Sequence, residues 1–201
     1  MIKYIIFDLA DVLITGTNET GFALAKKHQL AVDDRQSFPL LTPLAQDFFH
    51  GHVREDEYID EVIRTYPQFG SKDWLKQHIR ENFTEVPGTR EIVLRLKGLG
   101  YPLALLSVHA KEWIEYCDQK FKIHEVFDQV AYSFTDKVSK PNKKAFELVL
   151  ARLNAQPEEC LFIDDTLVNI QTAEEMGIKS VQFFNASKLN EQLKVLLPDY
   201  Q

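Results

Sequence analysis

Three observations in the 201-residue sequence predict an α/β fold, a doubly wound parallel sheet with an all-helical insert after its first strand. A short β-rich apolar run near the amino terminus ends abruptly at Asp8. About 70 residues of helical periodicity follow it. From Thr89 onward, helices and apolar strands alternate.

Ile2, Tyr4, Ile5, Ile6 and Phe7 read as a strand buried on both faces. Open α/β sheets bind ligands beyond the carboxyl ends of their strands, so Asp8 is a functional candidate. Its local alternative is to cap a turn or the next helix. Four helical segments come next: Glu19 to Gln29, Leu40 to His50, Asp56 to Tyr66 and Lys72 to Phe83. Phe22 and Leu24, Leu41 and Leu44 with Phe48-Phe49, Tyr58 with Ile59 and Val62, and Trp74 with Leu75 and Ile79 recur at helical spacing; of these, Tyr58, Trp74 and Phe48-Phe49 read as residues that pack the insert rather than line a sugar site. Gly51, Pro67 and Gly70 punctuate the segments, and Val86-Pro87-Gly88 closes them.

Beyond that breaker, Glu91 to Leu99 is helical and Tyr101 to Leu106 is a strand ending at Ser107. A helix over Lys111 to Phe121, a strand over Gln129 to Tyr132 and a loop holding Lys137 and Lys140-Pro141 come next. Helix Lys143 to Leu153 leads to the strand Cys160 to Ile163, which ends at Asp164-Asp165. Helix Leu167 to Met176, strand Ser180 to Phe184 and helix Leu189 to Leu197 complete the alternation, which implies parallel strands. Residues 1 to 14 and 85 to 201 then form the core, and 15 to 84 the insert.

Acidic residues outnumber basic ones by 30 to 23 and no Lys/Arg block occurs, which argues against a nucleic-acid partner. Cys117 and Cys160 lack metal-type spacing and suit a reduced, cytoplasmic chain as packing residues. Asp8 and Asp11 interrupt the apolar start, so it does not read as a secretory signal. No run approaches the ~18 apolar residues of a membrane span.

Asp8, Ser107 and Asp164-Asp165 end three strands on what should be one edge of the sheet, where the Lys140-Pro141 loop also lies. Converging carboxylates repel unless a cation sits between them. Oxygen ligands without His or Cys point to Mg²⁺, which favours carboxylates plus substrate phosphate oxygens. A lysine would neutralise further charge and a serine hydroxyl could donate to a phosphoryl oxygen. The set describes a phosphate site.

Four stretches carry a resemblance: Phe7-Asp8-Leu9-Ala10-Asp11-Val12-Leu13, Leu105-Leu106-Ser107, Ser139-Lys140-Pro141-Asn142, and Phe162-Ile163-Asp164-Asp165-Thr166-Leu167-Val168-Asn169. In order, spacing and strand-end placement they resemble the four motifs of the haloacid dehalogenase-like superfamily. The insert after the first motif resembles its C1-capped members. The resemblance implies a Rossmann-like core with a helical cap, and a Mg²⁺-dependent phosphatase acting on a small phosphorylated metabolite. It makes Asp8 the nucleophile, with Mg²⁺ held by Asp8, the Ala10 carbonyl and Asp165, and Asp164 in support or acting through water. Ser107 and Lys140 would hold the phosphoryl group, and Asn169 would orient the fourth motif.

Departures from the pattern bear on activity. Such phosphatases usually have an acid–base Asp two residues after the nucleophile, where this chain has Ala10, and a methyl group transfers no proton. Asp11 is either a turn residue in left-handed conformation or a displaced acid that meets substrate. After Ser107, Val108 and His109 replace the usual Asn; His109 either reaches the cleft as a substitute donor or starts a helix facing solvent. His50 and His52 flank a cap turn of the kind that faces the active site in similar proteins. Ala10 also fits a silent binding protein, or a phosphonate hydrolase, which would need a cap lysine such as Lys26, Lys27, Lys72 or Lys76. Dehalogenases do without metal, so Asp164-Asp165 argues against that branch.

Overall fold

The computed structural model describes residues 1–30 and 42–201. Its first part runs β1 (Tyr4–Phe7), β2 (Ile14–Thr15), α1 (Thr17–Lys27), α2 (Ala45–Phe49), α3 (Glu55–Thr65), α4 (Lys72–Asn82) and β3 (Thr84–Glu85). The second part opens with α5 (Thr89–Gly98), β4 (Leu103–Ser107), α6 (Lys111–Phe121), β5 (Gln129–Tyr132) and α7 (Ser133–Asp136). It ends with α8 (Lys143–Leu153), β6 (Cys160–Asp164), α9 (Leu167–Glu175), β7 (Lys179–Gln182) and α10 (Ala186–Leu196).

Among the described residues the main sheet has five strands, all parallel, in the order β5-β4-β1-β6-β7. Ile6 sits in register with Ala104 on one side and Phe162 on the other. Side chains alternate along each strand, so the central strands feed two apolar layers. Ile5, Phe7, Leu105 and Ile163 join one layer, with Ile92 and Leu96 of α5, Trp113 of α6 and Leu193 of α10. Ile6, Ala104, Leu106 and Phe162 join the other, with Phe146 and Val149 of α8 and Ile170 and Ala173 of α9. Both faces are dry, which is why these strands read as unbroken apolar runs.

The helices between β2 and β3 share the first of these layers rather than forming a separate core. Phe48 stacks on Tyr58 at 4.3 Å between ring centroids and meets the edge of Trp113 at 5.1 Å. Glu55 of α3 is buried, and its carboxylate accepts hydrogen bonds from Trp113 Nε1 at 2.8 Å and Arg80 Nη2 at 2.7 Å. Burying that carboxylate is tolerated because a cation and a ring N–H satisfy it.

The structure differs from the sequence reading in several places. Trp74 packs no interior: it is 38% exposed, stacked on His78, with Lys27 Nζ over its ring. Its helical spacing was real, but it lies on the solvent side of α4. The second insert helix begins at Ala45, and the expectation for Leu40 and Leu41 lies outside the described residues. Ile14–Thr15 and Thr84–Glu85 pair as an antiparallel ribbon at the root of the insert, and α7 occupies part of the expected loop. Phe184, expected to end β7, lies beyond it and is exposed. Among the described residues no helix is long and apolar enough to cross a membrane.

Candidate active site

Asp8, Ser107 and the pair Asp164-Asp165 stand at the ends of β1, β4 and β6, Lys140 in the loop between α7 and α8, and Asn169 in the first turn of α9. The Asp8 backbone N–H donates to Ile163 O at 2.8 Å, continuing the ladder of β1 onto β6 and seating Asp8 at the sheet edge. Its carboxylate is buried, and Oδ1 accepts from the Leu9 N–H at 2.6 Å. Lys140, carried by the loop between α7 and α8, places Nζ 2.8 Å from Asp8 Oδ1 and 2.6 Å from Asp164 Oδ2. Burial alone would lower the Lys140 pKa, but Asp8 and Asp164 together outweigh it and hold it above its ordinary value.

Burial pushes the Asp8 pKa up to about 7, with Lys140 opposing and Asp164 reinforcing the shift. Asp165 is also raised, first by burial and then by the charges of Asp164 and Asp11. Oxygens of Asp8, Asp164 and Asp165 lie within 4.8 Å of one another and could hold a metal ion. One lysine does not balance three carboxylates, so a hard divalent cation suits this donor set.

The two aspartates at the end of β6 divide the work. Asp164 is fully buried and accepts from Lys140, from the Thr166 N–H at 2.8 Å and from Asn169 Nδ2 at 3.1 Å to each oxygen. Its lone pairs are largely committed to holding Lys140 and the following turn. Asp165 accepts a hydrogen bond from its neighbour's Thr166 Oγ1 at 3.2 Å and is partly open to the cleft. Ser107, at the end of β4, is buried with an Oγ that has no hydrogen-bond partner among the described residues. A buried hydroxyl without a partner costs about 1–3 kcal/mol, and this one is left with its hydrogen-bonding capacity unused among the described residues.

Asp11 takes the left-handed turn conformation, with φ 57°. Its carboxylate also faces the cleft, where Asn18 Nδ2 donates to Oδ2 at 2.7 Å and Thr15 Oγ1 lies 2.9 Å from Oδ1. His109 does not face solvent. It is buried against Phe83 and Trp113, and its Nδ1 accepts the Ala110 N–H at 3.0 Å. An accepting Nδ1 carries no proton, so the ring is the Nε2–H tautomer, and burial pulls its pKa down to about 4.

Two adjoining cavities share Ala10, Asp11, Asn18 and Val108. The first, 180 Å³, reaches Asp8, Lys140, Asp165 and Asn169. The second, 140 Å³, runs past Ile14 and Thr15 to Phe49 and His109. Phe49, expected to pack the insert, does pack against Phe48 and Trp113 and also lines this cavity.

Contacts between α2 and the core lay beyond sequence reasoning. Ser133 Oγ donates to Phe49 O at 2.6 Å, Lys137 Nζ donates to His50 O at 2.8 Å, and His50 Nε2 lies 3.1 Å from Ser139 Oγ. His52, by contrast, is exposed beside Asp47. No local pattern announces bonds that span 84 or more positions.

A family model described as haloacid dehalogenase-like hydrolase matches residues 2–177. Among similar curated proteins is a glyceraldehyde 3-phosphate phosphatase of Pyrococcus abyssi, 28% identical over 196 residues that cover 91% of this chain and 82% of the relative. A pyrophosphatase PpaX of Bacillus mycoides is 26% identical over 204 residues, covering 99% and 91%. Among solved structures, a HAD-like family hydrolase from Porphyromonas gingivalis has a TM-score of 0.77 at 24% identity, covering 99% of each chain. A HAD family enzyme from Bacteroides thetaiotaomicron, in complex with magnesium and inorganic phosphate, has a TM-score of 0.73 at 21% identity, covering 92% of this chain and 96% of that one. At these identities the solved structures establish a common fold.

Proposed function

The chain belongs to the haloacid dehalogenase-like hydrolases, and from that premise we propose that it is a Mg²⁺-dependent phosphatase of a small phosphorylated metabolite. The observation that carries the reading is one cluster: Asp8 held 2.8 Å from Lys140, beside Asp165 and a buried Ser107 hydroxyl with no partner among the described residues. The phosphatases and pyrophosphatases named among its relatives support it.

Asp8 attacks phosphorus and the ester oxygen leaves with the P–O bonding pair. The resulting aspartyl-phosphate is then cleaved by water, which releases inorganic phosphate and restores the carboxylate. Lys140 and Ser107 hold the phosphoryl oxygens as charge redistributes. Asp8, the Ala10 carbonyl and Asp165 would hold Mg²⁺, which supplies charge neutralisation when bound. Asp164 keeps Lys140 in place, and Asn169 fixes Asp164. The helices of residues 15–84 act as the cap over this cleft.

Ala10 offers no proton to the departing oxygen, and the buried, neutral His109 ring stores none at neutral pH. Departure therefore relies on water or on a leaving group that needs no proton. A positioned acid is worth about 10²–10⁴-fold, so aryl phosphates should outpace alkyl phosphates by a factor in that range. The phosphonate-hydrolase alternative receives less support. Lys72 and Lys76 are engaged with Asp60, Asp56 and Glu55, and among the described residues Lys140 is the lysine that lines the cleft.

Phosphate release from p-nitrophenyl phosphate and a panel of sugar and nucleoside phosphates, with and without Mg²⁺, tests the reading. Turnover should require Mg²⁺ and fall by about 10³-fold or more in Asp8→Asn. Mg²⁺ and phosphate binding without turnover above that control would make the chain a silent binder, as Ala10 allows.

A further inference from the structure

The phosphoryl cleft and the smaller cavity beside it adjoin one another and share Ala10, Asp11, Asn18 and Val108 as wall. With the phosphoryl group on Asp8 and Lys140, the rest of the substrate extends into a space that adjoins the cleft. The 140 Å³ cavity shares with the cleft both Ala10 and Asp11, the residues two and three positions after Asp8. It is close to the volume of a void of about 150 Å³ that accommodates a benzene ring, so a leaving group of about three to six heavy atoms fits within it and a larger one such as p-nitrophenol protrudes.

Its chemistry is lopsided. Ile14, Phe49 and Val108 supply apolar wall. Asp11 supplies a carboxylate whose polar partners are the neutral Asn18 and Thr15 side chains, and the Thr15 hydroxyl also contacts the Glu19 carboxylate. Among the described residues lining it there is no lysine or arginine. Cationic side chains are what a second phosphate or a carboxylate on the substrate would require. At the far end stands His109, whose Nδ1 is occupied by the Ala110 N–H, leaving Nε2–H as the ring's remaining donor.

We infer that this cavity receives the leaving group and selects a small uncharged one, with Asp11 rejecting a second anion and His109 Nε2–H donating to a hydroxyl or carbonyl oxygen. The inference rests on the phosphatase reading and narrows it. It separates phosphate esters of neutral three- or four-carbon alcohols from pyrophosphate-like and acid-bearing substrates. Asp11 and His109 are specificity-determining residues here, distinct from the groups that act on phosphorus.

Glycerol phosphate and phosphoglycerate differ by a carboxylate at similar size, and each is measured beside p-nitrophenyl phosphate in the same preparation with Mg²⁺. Ratios of kcat/KM within one preparation are independent of how much of it is folded. The wild type should favour glycerol phosphate over phosphoglycerate by about tenfold or more, since like-charge juxtaposition is costly. Asp11→Asn keeps the turn and removes the charge, and should shrink that ratio at least about threefold. His109→Phe should lower glycerol phosphate relative to p-nitrophenyl phosphate by about tenfold, and His109→Gln, which keeps an N–H donor, should recover most of it.

Turnover of p-nitrophenyl phosphate with equal use of the two three-carbon esters overturns the inference alone. So does a ratio that Asp11→Asn leaves unchanged, or a loss in His109→Phe that His109→Gln does not recover. No turnover of any substrate overturns the phosphatase reading and this inference with it.

Discussion

His109 has a charge state set by what surrounds it. Burial among Phe83 and Trp113 removes water from the ring and lowers its pKa from 6.5 to about 4. Because the folded value is depressed, the fold favours the neutral ring. That contribution is complete above about pH 6.5 and is lost as pH falls toward 4, reaching about 3 kcal/mol. Urea unfolding at pH 7 and pH 4.5 should therefore show a larger acid loss of stability in the wild type than in His109→Gln, by about 2 kcal/mol. Equal losses in the two proteins would mean that the ring is hydrated in solution. Asp11 shows the complementary case, a residue whose left-handed backbone was legible from its type and place. What the sequence left open at Asp11 was whether the side chain stays in its turn or meets the cleft, and in three dimensions it does both.

At the scale of elements, the ribbon of β2 and β3 fastens the helical insert to the sheet. Gly16, at φ 135° between β2 and α1, is where that attachment is tightest. A Cβ there would collide with Asn82 O and lie 2.9 Å from Phe83 Cα, at the end of α4. Gly16→Ala should thus cost about 2–4 kcal/mol through strain and displaced backbone, seen as a lower urea midpoint. A midpoint within about 0.5 kcal/mol of wild type would show that α4 yields easily at its end. Long amphipathic helices and apolar strands were legible because their periodicity spans many residues, as in α3 with Tyr58, Ile59 and Val62. Two-residue strands such as Ile14–Thr15 offer no period to detect, and Trp74 shows that period alone does not choose which side of a helix is covered.

Across the whole molecule, the site concentrates negative charge that the isolated chain must bear. Asp8, Asp164 and Asp165 share one lysine within a buried edge of the sheet. A cation bound by the folded state and not by the unfolded one stabilises by about 2.7 kcal/mol at a hundred times its Kd. Mg²⁺ should therefore raise Tm by several degrees, EDTA should reverse the gain, and Asp165→Asn should weaken it. A Tm indifferent to Mg²⁺ up to millimolar concentration would argue against a divalent-metal site.

Residue type and order by themselves determined that this chain is a parallel α/β fold with polar residues at the ends of its central strands. They did so because Asp8, Ser107 and the pair Asp164-Asp165 each end an apolar run that spacing reveals. Only the tertiary structure decided which hydrogen bonds Asp164 and Asp165 make, that His109 is buried and neutral, and that Phe49 lines a cavity as well as packing on its aromatic neighbours. Those properties arise from desolvation and from hydrogen bonds between residues far apart in the chain. Neither exists until the sheet and the helices above it close on one another.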